Sequence, residues 1–376
     1  MAKKKPLPPG PPAFDRGSTP YFHGRNNILN QFRILLGRSL KTNTGTTFII
    51  QGAPGSGKTA LLDKIAKDAI QPWHVAHIDP DALWDTNWLM HALGRGREFS
   101  ISEWIGGVGL GVAGGKAKSN PVLPNPISII GQWNIPLLLI LDEAQNLGGP
   151  NKPEGNNRSV AANLIRRIHN GDMGRPVVLL CAGLGTTLGA FDSLGLSRIG
   201  LKCDAELGPL SDKSTRAIVQ AWLTKDAGAK GDTAPWVDAI TEETQGWPQH
   251  IAAYVEPAIM HLMENGGRLT SAGLSIVLKL GREGRAQYYQ QRVRKFYIDE
   301  VRHMANAISE YPSGSVFDRL DVLSSLSRIY GHAEAIKIFD TFLERGIIDV
   351  SGSEGYVVSI PSMHTWLVDE YVNNKS

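Results

Sequence analysis

Eight consecutive residues, Gly52-Ala53-Pro54-Gly55-Ser56-Gly57-Lys58-Thr59, constrain the fold of this chain more than any other stretch. An apolar run, Phe48-Ile49-Ile50, precedes them. Behind them Leu61, Leu62, Ile65, Ala66 and Ala69 fall on one helical stripe. A glycine-rich turn between a buried strand and an amphipathic helix lets successive backbone N–H groups converge on one point. The helix N-terminus adds positive potential at that point. With a lysine and a hydroxyl residue at its end, the segment matches the phosphate-loop pattern G-x-x-x-x-G-K-[ST] in full. Lys58 suits a bridge between β- and γ-phosphates, and Thr59 suits a Mg²⁺ ligand. Gly52, Pro54, Gly55, Ser56, Gly57, Lys58, Thr59 and Ala60 are therefore the expected nucleotide contacts.

The surroundings demand a sheet. Apolar runs at His74 to Ile78, Leu137 to Leu141, Val177 to Cys181 and Lys202 to Leu207 alternate with helical or loop stretches up to Pro209. The runs at Leu137 and Val177 are continuously apolar, as strands covered on both faces are. A second amphipathic helix starts at Asn157, with Val160, Ala161, Leu164, Ile165 and Ile168 on its stripe. This alternation predicts a parallel α/β sheet. Leu137 to Leu141 runs straight into Asp142-Glu143. Two acids at the carboxyl end of a buried strand lie where open α/β sheets bind ligands. Asp142 suits water-mediated Mg²⁺ holding, and Glu143 suits orienting or deprotonating an attacking water. An acid at Glu143 favours hydrolysis over nucleotide storage.

Composition removes several classes. At 376 residues the chain has room for two or three domains. With 42% hydrophobic and 20% charged residues it is globular, not disordered or fibrous. A net charge of +3 does not mark a nucleic-acid protein as a whole. No apolar run approaches the roughly 20 residues that cross a bilayer. Lys3-Lys4-Lys5 has no apolar segment behind it, so it is not a secretory signal. The two cysteines, Cys181 and Cys203, are too few for a disulfide framework. A soluble cytoplasmic protein is expected, with no membrane partner.

Further motifs, in this order, carry a family resemblance. Tyr21-Phe22-His23-Gly24-Arg25, followed by Ile28, Leu29 and Phe32, resembles the hydrophobic-Gly-Arg box that opens AAA+ and STAND ATPases. Gly52 to Thr59 and the strand ending Asp142-Glu143 resemble their Walker A and Walker B motifs. Ser197-Arg198, ahead of the fifth strand, resembles the arginine-finger position. Gly246-Trp247-Pro248 resembles the Gly-x-Pro motif of the lid in STAND and archaeal-type ATPases. The likeness covers about residues 21 to 376 and is closest to an initiator-like branch with a C-terminal winged helix. It implies an α/β AAA+ P-loop NTPase fold, with the parallel sheet ordered 5-1-4-3-2, a helical lid and a winged-helix domain. It also implies ATP and Mg²⁺ as cofactors, and ATP hydrolysis that is slow or partner-stimulated. Phe22, Gly24 and Arg25 would line the adenine pocket, with Pro248 touching the base from the lid. Arg198 would reach a γ-phosphate, in trans if subunits assemble, so a homo-oligomer is expected.

Two departures from that family stand out. The fourth strand ends Cys181-Ala-Gly183-Leu-Gly185-Thr186-Thr187 without a clear polar sensor, and Thr186 is the best substitute. Gln249 and His250 follow Gly246-Trp-Pro248, where many AAA+ proteins carry a lid arginine. The implied strand order also places Cys181 and Cys203 two strand spacings apart, about 9.6 Å, beyond disulfide reach. Both are expected to be buried, reduced and inert.

The domains expected are a basic, Pro-rich disordered tail at 1–20, the AAA+ core at 21–209, a helical lid at 210–268, a basic helical connector at 269–297 and a winged helix at 298–376. The last reads helix, helix, helix, hairpin, helix, with a hairpin from Ile347 to Ile360. Glycines at 105–126 resemble a dinucleotide loop only superficially, because no strand precedes them and no helix follows. A surface loop tipped by Lys116 and Lys118 is expected there. Asn163, Arg166, Arg167 and Asn170 lie opposite the apolar stripe of their helix, as a solvated or a DNA-facing surface. The winged-helix segment nets −6, however, and the rest of the chain +9. An acidic domain repels the phosphate backbone that dominates DNA affinity. Any DNA would therefore meet the core or the basic stretch 281–295, and the winged helix would meet protein. The expected function is an ATP-driven AAA+/STAND-type switch acting through a partner protein or nucleic acid, of the kind found in mobile-element and defence systems. The alternative is a DNA-binding assembly factor of initiator or transposition-regulator type. A non-hydrolysing nucleotide-dependent scaffold is the third class.

Overall fold

The short apolar runs form one sheet. The computed structural model describes residues 21–69, 71–94, 125–148, 152–200, 203–351 and 355–374. Its first five strands are β1 (Thr46–Gly52), β2 (His74–Ile78), β3 (Leu137–Leu141), β4 (Val177–Gly183) and β5 (Ala205–Leu207). They are ordered β2-β3-β4-β1-β5, which is 5-1-4-3-2 from the other edge. Every neighbouring pair is parallel. Cys181 stands opposite both Ile49 and Leu141, so β1 and β4 run on past the end of β3.

All residues of β3 and β4 are buried, and their period of two deals side chains to two cores. Leu137, Leu139, Leu141, Val177, Leu179 and Cys181 pack on one face. Leu138, Ile140, Val178 and Leu180 pack on the other. Each such aliphatic side chain contributes about 1.5–3 kcal/mol by leaving water. Helices α1 (Asn26–Thr42) and α2 (Lys58–Asp68) cover the second face with Phe32, Leu36, Leu61 and Ile65. Helices α3 (Thr86–Ala92), α4 (Pro126–Gln132), α5 (Gly155–Asn170), α6 (Thr187–Ser193) and α7 (Ser197–Gly200) cover the first, through Leu89, Ile129, Leu164, Phe191 and Ile199.

Past β5 a third core is helical. It joins α8 (Asp212–Ala221), α9 (Ala234–Thr244), α10 (Pro248–Glu264) and α11 (Ser271–Val293) around Val219, Trp222, Ile240, Tyr254 and Ile259. Ser211 caps α8 and Thr270 caps α11, each side-chain oxygen accepting from a backbone N–H of the first turn. A fourth core holds α12 (Ile298–Ile308), α13 (Arg319–Tyr330), α14 (His332–Glu344), the antiparallel pair β6 (Ile348–Ser351) and β7 (Gly355–Val358), and α15 (Pro361–Val368). Three helices, a hairpin and a helix follow in that order. The same core includes Ala53, Trp247 and Tyr289, so the C-terminal elements close directly on the glycine-rich loop.

One expectation fails for the cysteines. Cys181 is buried, but Cys203 is only partly so. The fifth strand starts at Ala205, and Cys203 precedes it, its thiol donating to the Ala205 carbonyl at 3.1 Å. The N-terminal tail, the loop around Lys116 and Lys118, and the hairpin turn at 352–354 lie outside the described residues. Among the described residues no helix is long and apolar enough to cross a membrane.

Candidate functional site

The tips of β1, β3 and β4 open on one cavity of about 440 Å³, within the size range of small-molecule sites. Residues 54–60 line one end, together with Glu143. Gly55 and Gly57 adopt φ of +75° and +90°, which frees the loop to wrap inward before α2 begins. A side chain at Gly55 would also press on Gln249, whose Cβ lies 2.7 Å from the position a Cβ would take. The lid latches this loop. Trp247 Nε1 donates to the Pro54 carbonyl at 3.3 Å, and Gln249 N donates to the Gly55 carbonyl at 3.2 Å.

Lys58 is buried and donates to the carbonyls of Gly52 and Ala53 at 2.8 and 3.1 Å. Burial pulls its pKa below the ordinary lysine value, and the nearby charges of Glu143 and Asp142 oppose the shift. Thr59 Oγ1 donates to Asp142 Oδ2 at 2.7 Å. That contact joins the two residues singled out for Mg²⁺ across 83 positions of sequence. Ser56 Oγ is buried without a partner at the same end. A cradle with an orphaned hydroxyl and paired hard-oxygen donors fits a metal-bound phosphate group.

Glu143 stands at φ +54°, a left-handed conformation that strains a non-glycine residue. Asp142 Oδ1 accepts from the Glu143 amide at 2.9 Å and helps hold it. Gln145 donates its amide to the Glu143 carboxylate and accepts from Leu184 N at 3.1 Å. Gln145 thus ties the tip of β3 to the tip of β4.

The other end is aromatic and aliphatic, from Tyr21, Phe22, Leu210, Ile218, Trp222 and Pro248. Tyr21 meets Trp222 edge to face at 5.0 Å. Arg25 lines this end, yet its guanidinium donates to the main-chain carbonyls of Ser56 and Gly208. It clamps the loop to the residue following β5. Gly24, at φ +84°, packs against Ser214. Gly24, Gly52 and Asp142 flank the cavity without lining it. Arg198 is exposed on α7 and does not line the cavity of its own chain. Thr186 immediately precedes α6 and is likewise absent from the lining.

The tip of β4 instead meets a carboxylate from the C-terminal hairpin. A Cβ added to Gly185 would overlap the Asp349 carboxylate of β6. Burial, reinforced by Glu206, pushes Asp349 up to about 6, with the Val350 amide and Lys58 opposing. Gly346, at φ +62°, brings backbone against Pro54, leaving 3.0 Å between a hypothetical Cβ and the proline ring.

Sequence reading missed Tyr288 and assigned Arg292 to a possible DNA face; both line the glycine-loop end of the cavity from α11. Their i, i+4 spacing puts them on one helix face, and that pairing was the available signal. The basic stretch is correspondingly less basic outside. Arg282 and Arg285 pair with Glu243, Arg292 lines the cavity, and Arg282, Arg294 and Lys295 are exposed. Of the five cations expected to form a DNA face at 281–295, two are thus tied to one carboxylate and one turns to the cavity. On α14, Lys337 pairs with Glu334 at 3.0 Å, and Arg319 of α13 pairs with Asp340 at 2.7 Å.

No protein-family model and no curated protein matches the sequence. Solved structures do. The ORC2 protein of Aeropyrum pernix, in ADPNP–ADP complexes, superposes with a TM-score of 0.56 at 15% identity, over 95% of this chain and 96% of that one. The Walker-type ATPase PABY2304 of Pyrococcus abyssi gives 0.51 at 14% identity, over 92% and 98%. Likeness at this identity concerns the fold. With the strand order above, the fold is that of an AAA+ P-loop NTPase with an appended helical region.

Proposed function

We propose that this chain is an ATP-binding, ATP-hydrolysing molecular switch of AAA+/STAND type. One observation carries the reading: Lys58, the Thr59–Asp142 pair and Glu143 meet at one end of a cavity whose other end is aromatic. That division matches a triphosphate at one end and a base at the other. The similar Aeropyrum pernix structure holds ADPNP and ADP, which supports the same ligand class here. Thr59 and Asp142 would hold Mg²⁺, whose contribution when bound is charge neutralisation between the β- and γ-phosphates. Main-chain amides of residues 55–59 and the Lys58 ammonium would grip the phosphates. Glu143 would take a proton from the attacking water as the new bond to the γ-phosphorus forms and the bond to the ADP oxygen breaks.

The C-terminal elements, read as a winged helix, would report the nucleotide state, because they touch the loop at Pro54 and the β4 tip at Gly185. Arg198, exposed, suits completion of a neighbour's site in a homo-oligomer. Output would pass to a partner protein, since the C-terminal region is acidic and the connector's cations are mostly engaged internally. The DNA-binding assembly-factor reading would rest on exposed cations such as Arg166, Arg294 and Lys295. Mobile-element and defence systems are the settings in which we would look first.

The deciding measurement is titration with labelled ATP and ADP plus Mg²⁺, followed by steady-state phosphate release. Saturable binding with slow release is expected. Absence of any saturable uptake would falsify the reading, and retention on duplex DNA that weakens with salt and requires ATP would favour the assembly factor.

A further inference from the structure

The phosphate end of the cavity holds more anion-seeking groups than the loop motif supplies. Tyr288 and Arg292, one turn apart on α11, both face it. The Tyr288 hydroxyl is buried and has no hydrogen-bond partner, and it stands 3.1 Å from where a Cβ on Gly55 would lie. A buried hydroxyl without a partner is costly, and native proteins rarely leave one without a ligand or water in view. Arg292 is partly buried and bonds to one group, the main-chain carbonyl of Arg345. Among the described residues no carboxylate forms an ion pair with it. Its charge is felt by Lys58, and that of Glu143 by Arg292, so the guanidinium lies within electrostatic reach of both without pairing with either. A desolvated guanidinium held only by a carbonyl is short of a counter-charge.

The residues after Pro248 cannot fill this role. His250 is buried and turned away, bonded to the Thr244 carbonyl and the Tyr289 hydroxyl. Gln249 reaches the cavity but carries no charge. The cation missing from that turn is instead present on the next helix.

We propose that Arg292 and Tyr288 bind the terminal phosphate of the nucleotide, so that α11 distinguishes a triphosphate from a diphosphate. The inference rests on the nucleotide reading above and adds the residues that discriminate. A planar guanidinium can take two oxygens of one phosphate, and the phenol can donate to a third. A triphosphate would then compete with the Arg345 carbonyl for Arg292. Because Arg345 lies between α14 and β6, the same event reaches the C-terminal hairpin.

Affinities of wild type, Arg292→Ala, Arg292→Lys and Tyr288→Phe should be measured for ADP and for a slowly hydrolysed ATP analogue. Arg292→Ala should lose about tenfold or more for the ATP analogue while ADP changes by less than about threefold, as expected for a charged hydrogen bond to one phosphate. Arg292→Lys should restore part of the difference. Tyr288→Phe should lower the ATP-to-ADP preference yet leave thermal stability unchanged or raised, because it deletes a hydroxyl that has no partner. Equal losses for ADP and ATP, or an unchanged ratio in both Arg292→Ala and Tyr288→Phe, would overturn the assignment while leaving the nucleotide reading intact. No uptake of either nucleotide by wild type would bring down both.

Discussion

The two ends of the cavity are built by different means. At the phosphate end, one eight-residue segment supplies main-chain amides, a lysine and a hydroxyl, and one strand end supplies two carboxylates. At the base end, Tyr21, Leu210, the neighbouring Ile218 and Trp222, and Pro248 are scattered along the chain and meet only once the helical core has packed. Charged ligand groups need donors at fixed geometry, so that chemistry condenses into short motifs. An apolar base needs only a surface of suitable shape, which many residue combinations provide. The phosphate end should thus be intolerant of single changes and the base end forgiving.

Substitutions can break that contrast, and the largest effect belongs to Lys58→Ala. It should abolish saturable ATP binding, a loss on the order of 100-fold or more, as removal of a buried charged partner predicts. Near-normal binding in an equilibrium titration would erase the distinction between the ends. Next, Glu143→Gln should cut phosphate release by roughly 100-fold, in the range of a general base, with ATP affinity held. Release at the wild-type rate would move the base to another group. Ile218→Ala, at the base end, removes a partly exposed aliphatic contact and should weaken ATP and ADP alike by about fivefold. A loss confined to ATP would show that the base end also senses phosphates.

Smaller effects test how the hairpin meets the site. Gly185→Ala should push Asp349 away from the β4 tip and speed tryptic cleavage at exposed Arg294 and Lys295. An unchanged cleavage rate would mean that the contact does not hold the hairpin. Asp349 itself gives a pH signature. Its folded pKa, about 6, is above the ordinary value of 3.8, so the folded state binds the proton more tightly. Its contribution is therefore full below pH 4 and lost as pH rises through 6, by roughly 3 kcal/mol. Asp349→Asn should gain thermal stability over wild type at pH 7.5 but not at pH 4; parallel pH profiles would detach Asp349 from hairpin docking.

Much of the fold could be read directly because its parallel strands are covered on both faces. Continuous runs such as Leu137 to Leu141 are unambiguous there, and the order of strands followed from the resemblance that the loop motifs carried. The phosphate end was legible for the same reason: its residues are neighbours in sequence. Tyr288, Arg292 and Asp349 were not, because each reaches the site from an element far along the chain and is placed by packing alone. Charge counting misled at 281–295. It treats every arginine as solvated, whereas Glu243 and the cavity each draw arginines inward. Cys203 falls inside the run Lys202 to Leu207, and a run marks buried sequence more reliably than the residue where pairing begins.

Pro54 is held from two directions, its carbonyl by the Trp247 indole and its ring by the backbone of Gly346. The tip of the loop cannot lift unless lid and hairpin both let go. A molecule enclosed beneath it would leave on a schedule set by the slower of two latches, so dwell time, more than affinity, becomes the quantity that such a chain can regulate.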